Sequence, residues 1–169
     1  MKSLLFVFLI FSQFILHSTV SYAKIANFHV VSEQIWRGGR PDYYDLKNLH
    51  DRGYKTIINI ENRQNFVESE RRNAERMGLQ FISIPMDEDL VPNNQDIEKL
   101  LQLLSDKSNQ PIFIHCFHGQ DRTGLVIGLY RVLIEGWDAK AAHDEMLQLG
   151  FHTKFINMEN YFWSKTKSP

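Results

Sequence analysis

The sequence predicts an α/β domain: a mostly parallel central sheet flanked by helices. Three observations lead there. Apolar runs rich in β-branched residues alternate with segments of helical period, the order expected when strands are joined by crossover helices. The runs at 54–60 (YKTIINI), 79–84 (LQFISI) and 112–114 (IFI) are near-continuous in apolar character, as befits strands covered on both faces. A tight polar loop then joins the last run to an almost wholly apolar helix, which places a loop at the carboxyl end of a sheet strand, where sites in such folds lie.

Length and composition agree with one domain: 169 residues, 43% hydrophobic and 23% charged. A formal net charge of −1 gives no global reason to expect nucleic acid as a partner. The first 23 residues read as a secretory signal peptide. Lys2 is the positive start, residues 4–16 are an apolar stretch broken at Ser12 and Gln13, and Ser21 and Ala23 put small residues at the two positions a signal peptidase reads. The stretch is too short and interrupted for a membrane span. The expectation is an exported protein, periplasmic or secreted, with residues 24–169 as a single domain and no stable membrane insertion after cleavage.

The elements follow in order. Residues 27–38 (NFHVVSEQIWRG) read as short strands around a Ser-Glu-Gln turn. Asp42 is a plausible N-cap for a helix to about Asp51, stopped by Gly53. After strand 54–60, residues 64–77 are helix-like and rich in charge (Glu68, Glu70, Arg71, Arg72, Glu75, Arg76), read as a solvated helix face. After strand 79–84 comes a loop, 86–92, with Asp87, Glu88 and Asp89. A helix from Asn93 or Asn94 to Ser105 carries Ile97, Leu100, Leu101 and Leu104 at helical spacing. Beyond the strand at 112–114, residues 123–135 predict a buried central helix whose Gly124 and Gly128 permit close packing. Asp138 caps a helix at 139–149, and an aromatic segment at 154–165 predicts a last helix covering the core.

The chemistry concentrates at 111–124, PIFIHCFHGQDRTG. It holds the only cysteine, Cys116, with Arg122 six residues on and Thr123 and Gly124 next. Strand, loop and helix N-terminus make an anion site, because free backbone amides and the helix dipole both favour negative charge there. The same field favours a thiolate at Cys116. Arg122 can clamp two oxygens of a tetrahedral oxyanion through its planar fork. A single cysteine has no internal disulfide partner, which suits a reactive thiol.

His115, Cys116, five residues, Arg122 and Thr123 together resemble the signature of the cysteine-dependent protein tyrosine and dual-specificity phosphatases. The segment I-W-R-G-G-R-P at 35–41 is similar to the opening of many atypical bacterial and fungal members. The resemblance covers most of residues 27–150 and implies a protein tyrosine phosphatase-like fold and a phosphoric monoester hydrolase. It implies Cys116 as nucleophile through a thiophosphate intermediate. Phe117, His118, Gly119, Gln120, Arg122 and Thr123 would form the phosphate cradle, Thr123 could donate to the sulfur, and His115 would support the loop. Arg37 and Arg40 could reach the phosphate side.

The proton donor has two candidate sources. The pattern from Pro85 to Pro92 resembles a phosphatase acid loop, with Glu88 at the matched position and Asp87 and Asp89 beside it. Asp121, fixed directly before Arg122 as in myotubularin-like lipid phosphatases, is the favoured choice. His118, with Arg37, Arg40 and Arg63, could accommodate further phosphates, so phosphotyrosine or phosphoserine-threonine proteins and inositol polyphosphates or phosphoinositides are all expected substrate classes. No cofactor and no metal are implied, since the seven histidines show no paired ligand spacing. Two alternatives are a rhodanese-like sulfurtransferase, disfavoured by the five-residue gap and Arg-Thr-Gly, and a catalytically inactive phosphobinding module.

Overall fold

The computed structural model describes residues 25–166; the expected signal segment 1–23 lies outside the described residues. Five strands, β1 (His29–Ser32), β2 (Ile35–Gly38), β3 (Thr56–Asn59), β4 (Gln80–Ser83) and β5 (Ile112–His115), form one sheet in the order β1-β2-β5-β3-β4. β1 and β2 are an antiparallel pair, and every other pairing is parallel. The mostly parallel α/β expectation therefore holds, with the one antiparallel pair at an edge.

Six helices cover the sheet: α1 (Tyr43–Asp51), α2 (Gln64–Arg76), α3 (Asn94–Ser105), α4 (Asp121–Leu133), α5 (Ala139–Gln148) and α6 (Ile156–Thr166). Their starts are written in the sequence. Asp42 makes a reciprocal capping box: its carboxylate accepts from Asp45 N at 2.8 Å, and its own amide donates to Asp45 Oδ2 at 3.1 Å. Asn93 and Asp138 accept from the first-turn amides of α3 and α5.

Alternation along the strands divides the apolar side chains between two cores. Phe113 and Ile57 face one side, where they pack with Leu46 and Leu49 of α1 and Val67 and Ala74 of α2. Ile112, Ile114 and Ile58 face the other, packed with α3, α4, α5 and α6. α4 is the central helix of that second layer, buried from Arg122 to Arg131. It begins at Asp121, two residues before the expected start, because Gln120 O already accepts from Gly124 N at 2.7 Å. Asp121 and Arg122 thus ride on the first helical turn instead of a loose loop.

The register levels the carboxyl ends of three strands. Gly38 of β2 and Asn59 of β3 both stand opposite His115 of β5. The loop after His115 leaves the sheet between two fixed neighbours. Among the described residues no helix is long and apolar enough to cross a membrane.

Gly128 sets the approach of α4 to α5 and α6. A Cβ there would lie 2.4 Å from Met146 Sδ and 3.2 Å from Phe162 Cε2. Gly128→Val is therefore expected to lower unfolding stability by about 1–3 kcal/mol through overpacking. An unchanged midpoint in urea denaturation would show that this face has slack the geometry does not suggest.

Candidate active site

A cleft of about 170 Å³ opens at the carboxyl edge of the sheet, lined by Cys116, Arg122, Glu88, Asp121, His118 and Gln120 among others. The Cys116 sulfur accepts a hydrogen bond from the Gly119 amide at 3.3 Å. That bond closes the loop over the Cys116 sulfur. The loop can turn so tightly because Gly119 has φ +72° and packs directly on the β2 backbone. A Cβ at 119 would lie 2.2 Å from the Gly38 carbonyl carbon, so only glycine fits.

Arg122 is buried and held at its tip. One guanidinium nitrogen, Nη1, donates to Asn62 Oδ1 at 3.1 Å and to the Met86 carbonyl at 3.3 Å, and stands 3.0 Å from Glu88 Oε2. The loop at 86–92 is thereby tied to Arg122 at the start of α4. Of its three carboxylates, Glu88 lines the cleft. Asp87 and Asp89 are exposed, and Asp87 accepts from Asn62 Nδ2 and from the Asp89 amide instead. Asp121 also lines the cleft, and its Oδ1 accepts from the His152 amide at 2.7 Å and faces His152 Nδ1 at 3.0 Å. The structure so brings Cys116, Arg122, Asp121 and Glu88 around one space and leaves Asp87 and Asp89 on its outside.

His115 is fully buried behind Cys116. Its Nε2 faces Glu70 Oε1 at 2.8 Å and its Nδ1 faces the Cys116 carbonyl at 3.2 Å. Both facing atoms are acceptors. Glu70 also accepts from Asn59 Nδ2 at 2.9 Å, and Asn59 Oδ1 accepts from the Glu61 amide at 2.7 Å. Glu61, wholly buried, forms a bidentate pair with Arg40 at 2.6 and 2.8 Å. A continuous polar chain thus runs from Arg40 through Glu61, Asn59 and Glu70 to His115.

Several sequence expectations are placed differently. Glu70 is not on a solvated face; it is 5% exposed. The signal was present: with Val67 and Ala74 it sits at helical spacing on the buried stripe of α2. Arg40 and Arg63 are not among the cleft residues. Both stack on the Phe117 ring, at 4.6 and 4.3 Å, because Glu61 draws Arg40 aside and the ring offers both guanidinium planes a face. Arg37 lies beneath the loop, donating to the Gly119 carbonyl at 2.7 Å. The Thr123 hydroxyl is buried without a hydrogen-bond partner, so the expected donation to sulfur is not made in this arrangement. His152 and Lys154, which also line the cleft, had no sequence signal, since they reach it from the loop between α5 and α6.

Glu70 pairs two buried donors at once. Glu70→Ala is expected to lower stability by about 3–5 kcal/mol, the cost of leaving a buried polar network without one member. A loss below about 1 kcal/mol, the size of an exposed ion pair, would show that the network carries no such weight.

With this geometry in view, comparison with known proteins is informative. The family model described as a DSP-PTPase phosphatase fused to NAD+ kinase matches residues 20–162. Dual specificity protein phosphatase TpbA of Pseudomonas aeruginosa is 28% identical over 125 residues, 74% of this chain and 55% of that protein. This chain therefore spans about half the length of that curated relative. Inositol diphosphatase DSP4 of Arabidopsis thaliana is 30% identical over 130 residues, covering 70% of this chain and 61% of the relative. Among solved structures, the core catalytic domain of the PP-IP phosphatase SIW14 from S. cerevisiae, in complex with citrate, superposes with a TM-score of 0.73 at 25% identity, covering 83% and 88% of the two chains. The helix-flanked parallel sheet, the Cys116–Arg122 loop and the matched model agree: the chain belongs to the DSP-PTPase family of the cysteine-dependent phosphatases.

Proposed function

We propose that the chain is an exported phosphoric monoester hydrolase of the protein tyrosine and dual-specificity type. The observation that carries the reading is the placement of the Cys116 sulfur and the Arg122 guanidinium in one cleft, with the Gly119 amide donating to the sulfur. Residues 1–23 would direct export and residues 24–169 would act as one phosphatase domain.

The chemistry runs in two steps. Cys116 Sγ attacks phosphorus and the bond from phosphorus to the leaving oxygen breaks, giving a cysteinyl phosphate. Arg122 exchanges Glu88 for the equatorial oxygens, and amides of residues 117–122 hold the remainder of the charge; such preorganised donors are worth about 3–4 kcal/mol each in comparable sites. A carboxylic acid in the cleft protonates the leaving oxygen, then as carboxylate accepts a proton from the water that attacks phosphorus and releases the thiolate. Asp121 is assigned that role, because helix α4 and His152 fix its position at the cleft wall. Glu88 is the second reading, favoured by its position in the cleft beside Arg122.

Phosphoproteins and inositol phosphates are the substrate classes that the relatives support. TpbA is named a dual specificity protein phosphatase and DSP4 an inositol diphosphatase. His118, His152 and Lys154 at the cleft provide groups that suit additional phosphates. Family membership sets aside the sulfurtransferase alternative, while the inactive binding module remains an outcome to be measured.

Cys116→Ser is expected to abolish phosphate release from para-nitrophenyl phosphate; anion binding without turnover in the wild type would leave a binding module. On a panel of phosphotyrosine peptide, phosphoserine peptide, inositol hexakisphosphate and phosphoinositides, kcat/KM ranks the substrate classes. With poor leaving groups, Asp121→Asn is expected to lower kcat by about 10²–10⁴-fold, the usual contribution of general acid catalysis, and to have much less effect with good ones. The same leaving-group dependence in Glu88→Gln, with Asp121→Asn unaffected, would move the acid to Glu88.

A further inference from the structure

Arg37 is among the largest fully buried side chains of the protein, at 1% exposure. A guanidinium so deeply placed ordinarily spends most of its five donors. Here only Nη2 is used. It donates to the Gly119 carbonyl at 2.7 Å and to the Gln120 carbonyl at 3.4 Å, while Nε and Nη1 are buried without partners. No carboxylate among the described residues pairs with it directly; Glu145, Arg131, His29 and Cys116 lie within electrostatic reach. Burial pulls its pKa down to about 10, with the Cys116 charge acting in the opposite direction.

The carbonyls that Arg37 holds decide where the loop's amides point. A peptide unit is planar and trans, so the C=O of one residue and the N–H of the next face opposite ways. With the Gly119 and Gln120 carbonyls turned down to Arg37, the Gln120 and Asp121 amides are turned away from it, on the side where both residues line the cleft. Two neighbours act the same way. Asn27, at φ +51°, also donates to the Gly119 carbonyl, at 2.8 Å, and the Arg40 amide donates to the Phe117 carbonyl at 3.1 Å. The floor of the cradle is thus built from the end of β2 and the segment before β1.

We infer that Arg37 is a positioning residue of the phosphate loop, turning the Gln120 and Asp121 amides toward the anion and placing an unpaired positive charge beneath it. This rests on the proposed phosphatase reading of the site, and the orphaned nitrogens become intelligible on it. Their charge has no carboxylate partner because its counter-charge is the thiolate and the bound oxyanion above.

The test separates the inference from that reading by measuring anion binding apart from turnover. Tungstate affinity is measured by calorimetry, and the rate of Cys116 alkylation by iodoacetamide is followed against pH. Arg37→Met is expected to weaken tungstate at least about tenfold, as the loss of hydrogen bonds from a charged donor implies, and to move the alkylation profile to higher pH. Arg37→Lys keeps the charge, but its shorter arm does not reach the point where Nη2 meets both carbonyls, so it should weaken tungstate while leaving the alkylation profile close to wild type. Reduced melting temperature with unchanged tungstate affinity and alkylation in Arg37→Met would reduce Arg37 to a scaffold residue and overturn the inference. Should that variant not fold, Arg37→Lys decides: unchanged tungstate affinity overturns it, a loss supports it. Wild type that binds tungstate through Arg37 but hydrolyses no phosphate ester would sink the phosphatase reading alone.

Discussion

The structure depends on one close approach, that of the Gly119 backbone to the backbone of Gly38 and Gly39 at the end of β2. No side chain fits between them, so the loop after Cys116 lies directly on the sheet end and inherits its rigidity. The parallel register then matters twice. It sets Gly38 level with His115, where the loop begins, and it sets Asn59 level on the other side, where the polar chain to Glu70 begins. Loop geometry is therefore a property of three strands, not of the loop residues alone. Preorganisation of this kind lets amide dipoles act on developing charge without reorganising during the reaction.

Charge around the loop is layered. Arg37 lies below, without a paired carboxylate. Glu70 and His115 form a buried neighbour pair behind Cys116. Arg122 and Glu88 face each other across the opening. Beyond them, the Phe117 ring carries the guanidinium groups of Arg40 and Arg63, which sets two cations against the loop's first side chain. The same residues that fix the loop mechanically also set its potential, and replacing any of them changes both.

Much of this was legible in the chain. The strand-loop-helix order, the caps at Asp42, Asn93 and Asp138, and the Cys116–Arg122 spacing follow from local rules that need no partner. The frame around them was less legible because it is made by long-range contacts. Glu70 was read by its charge when its spacing from Val67 and Ala74 pointed inward. Arg37 and Asn27 meet a loop more than eighty residues away, and nothing in a local pattern encodes that meeting. His152 arrives from the α5–α6 connection for the same reason. Asp87, Glu88 and Asp89 were inseparable in sequence because a loop has no period; the fold separates them by tying Arg122 to Glu88 and the Asp87 carboxylate to backbone and Asn62.

The packing of the loop also bears on how such a protein can diverge. Phe117 is held against two arginines, Gly119 against Gly38, Gln120 against Gly150 and Asp121 against His152. His118 alone among these five is exposed. A substitution at position 118 therefore meets the least packing resistance of the five, and a new side chain there reshapes the cleft rim while leaving the frame beneath it in place.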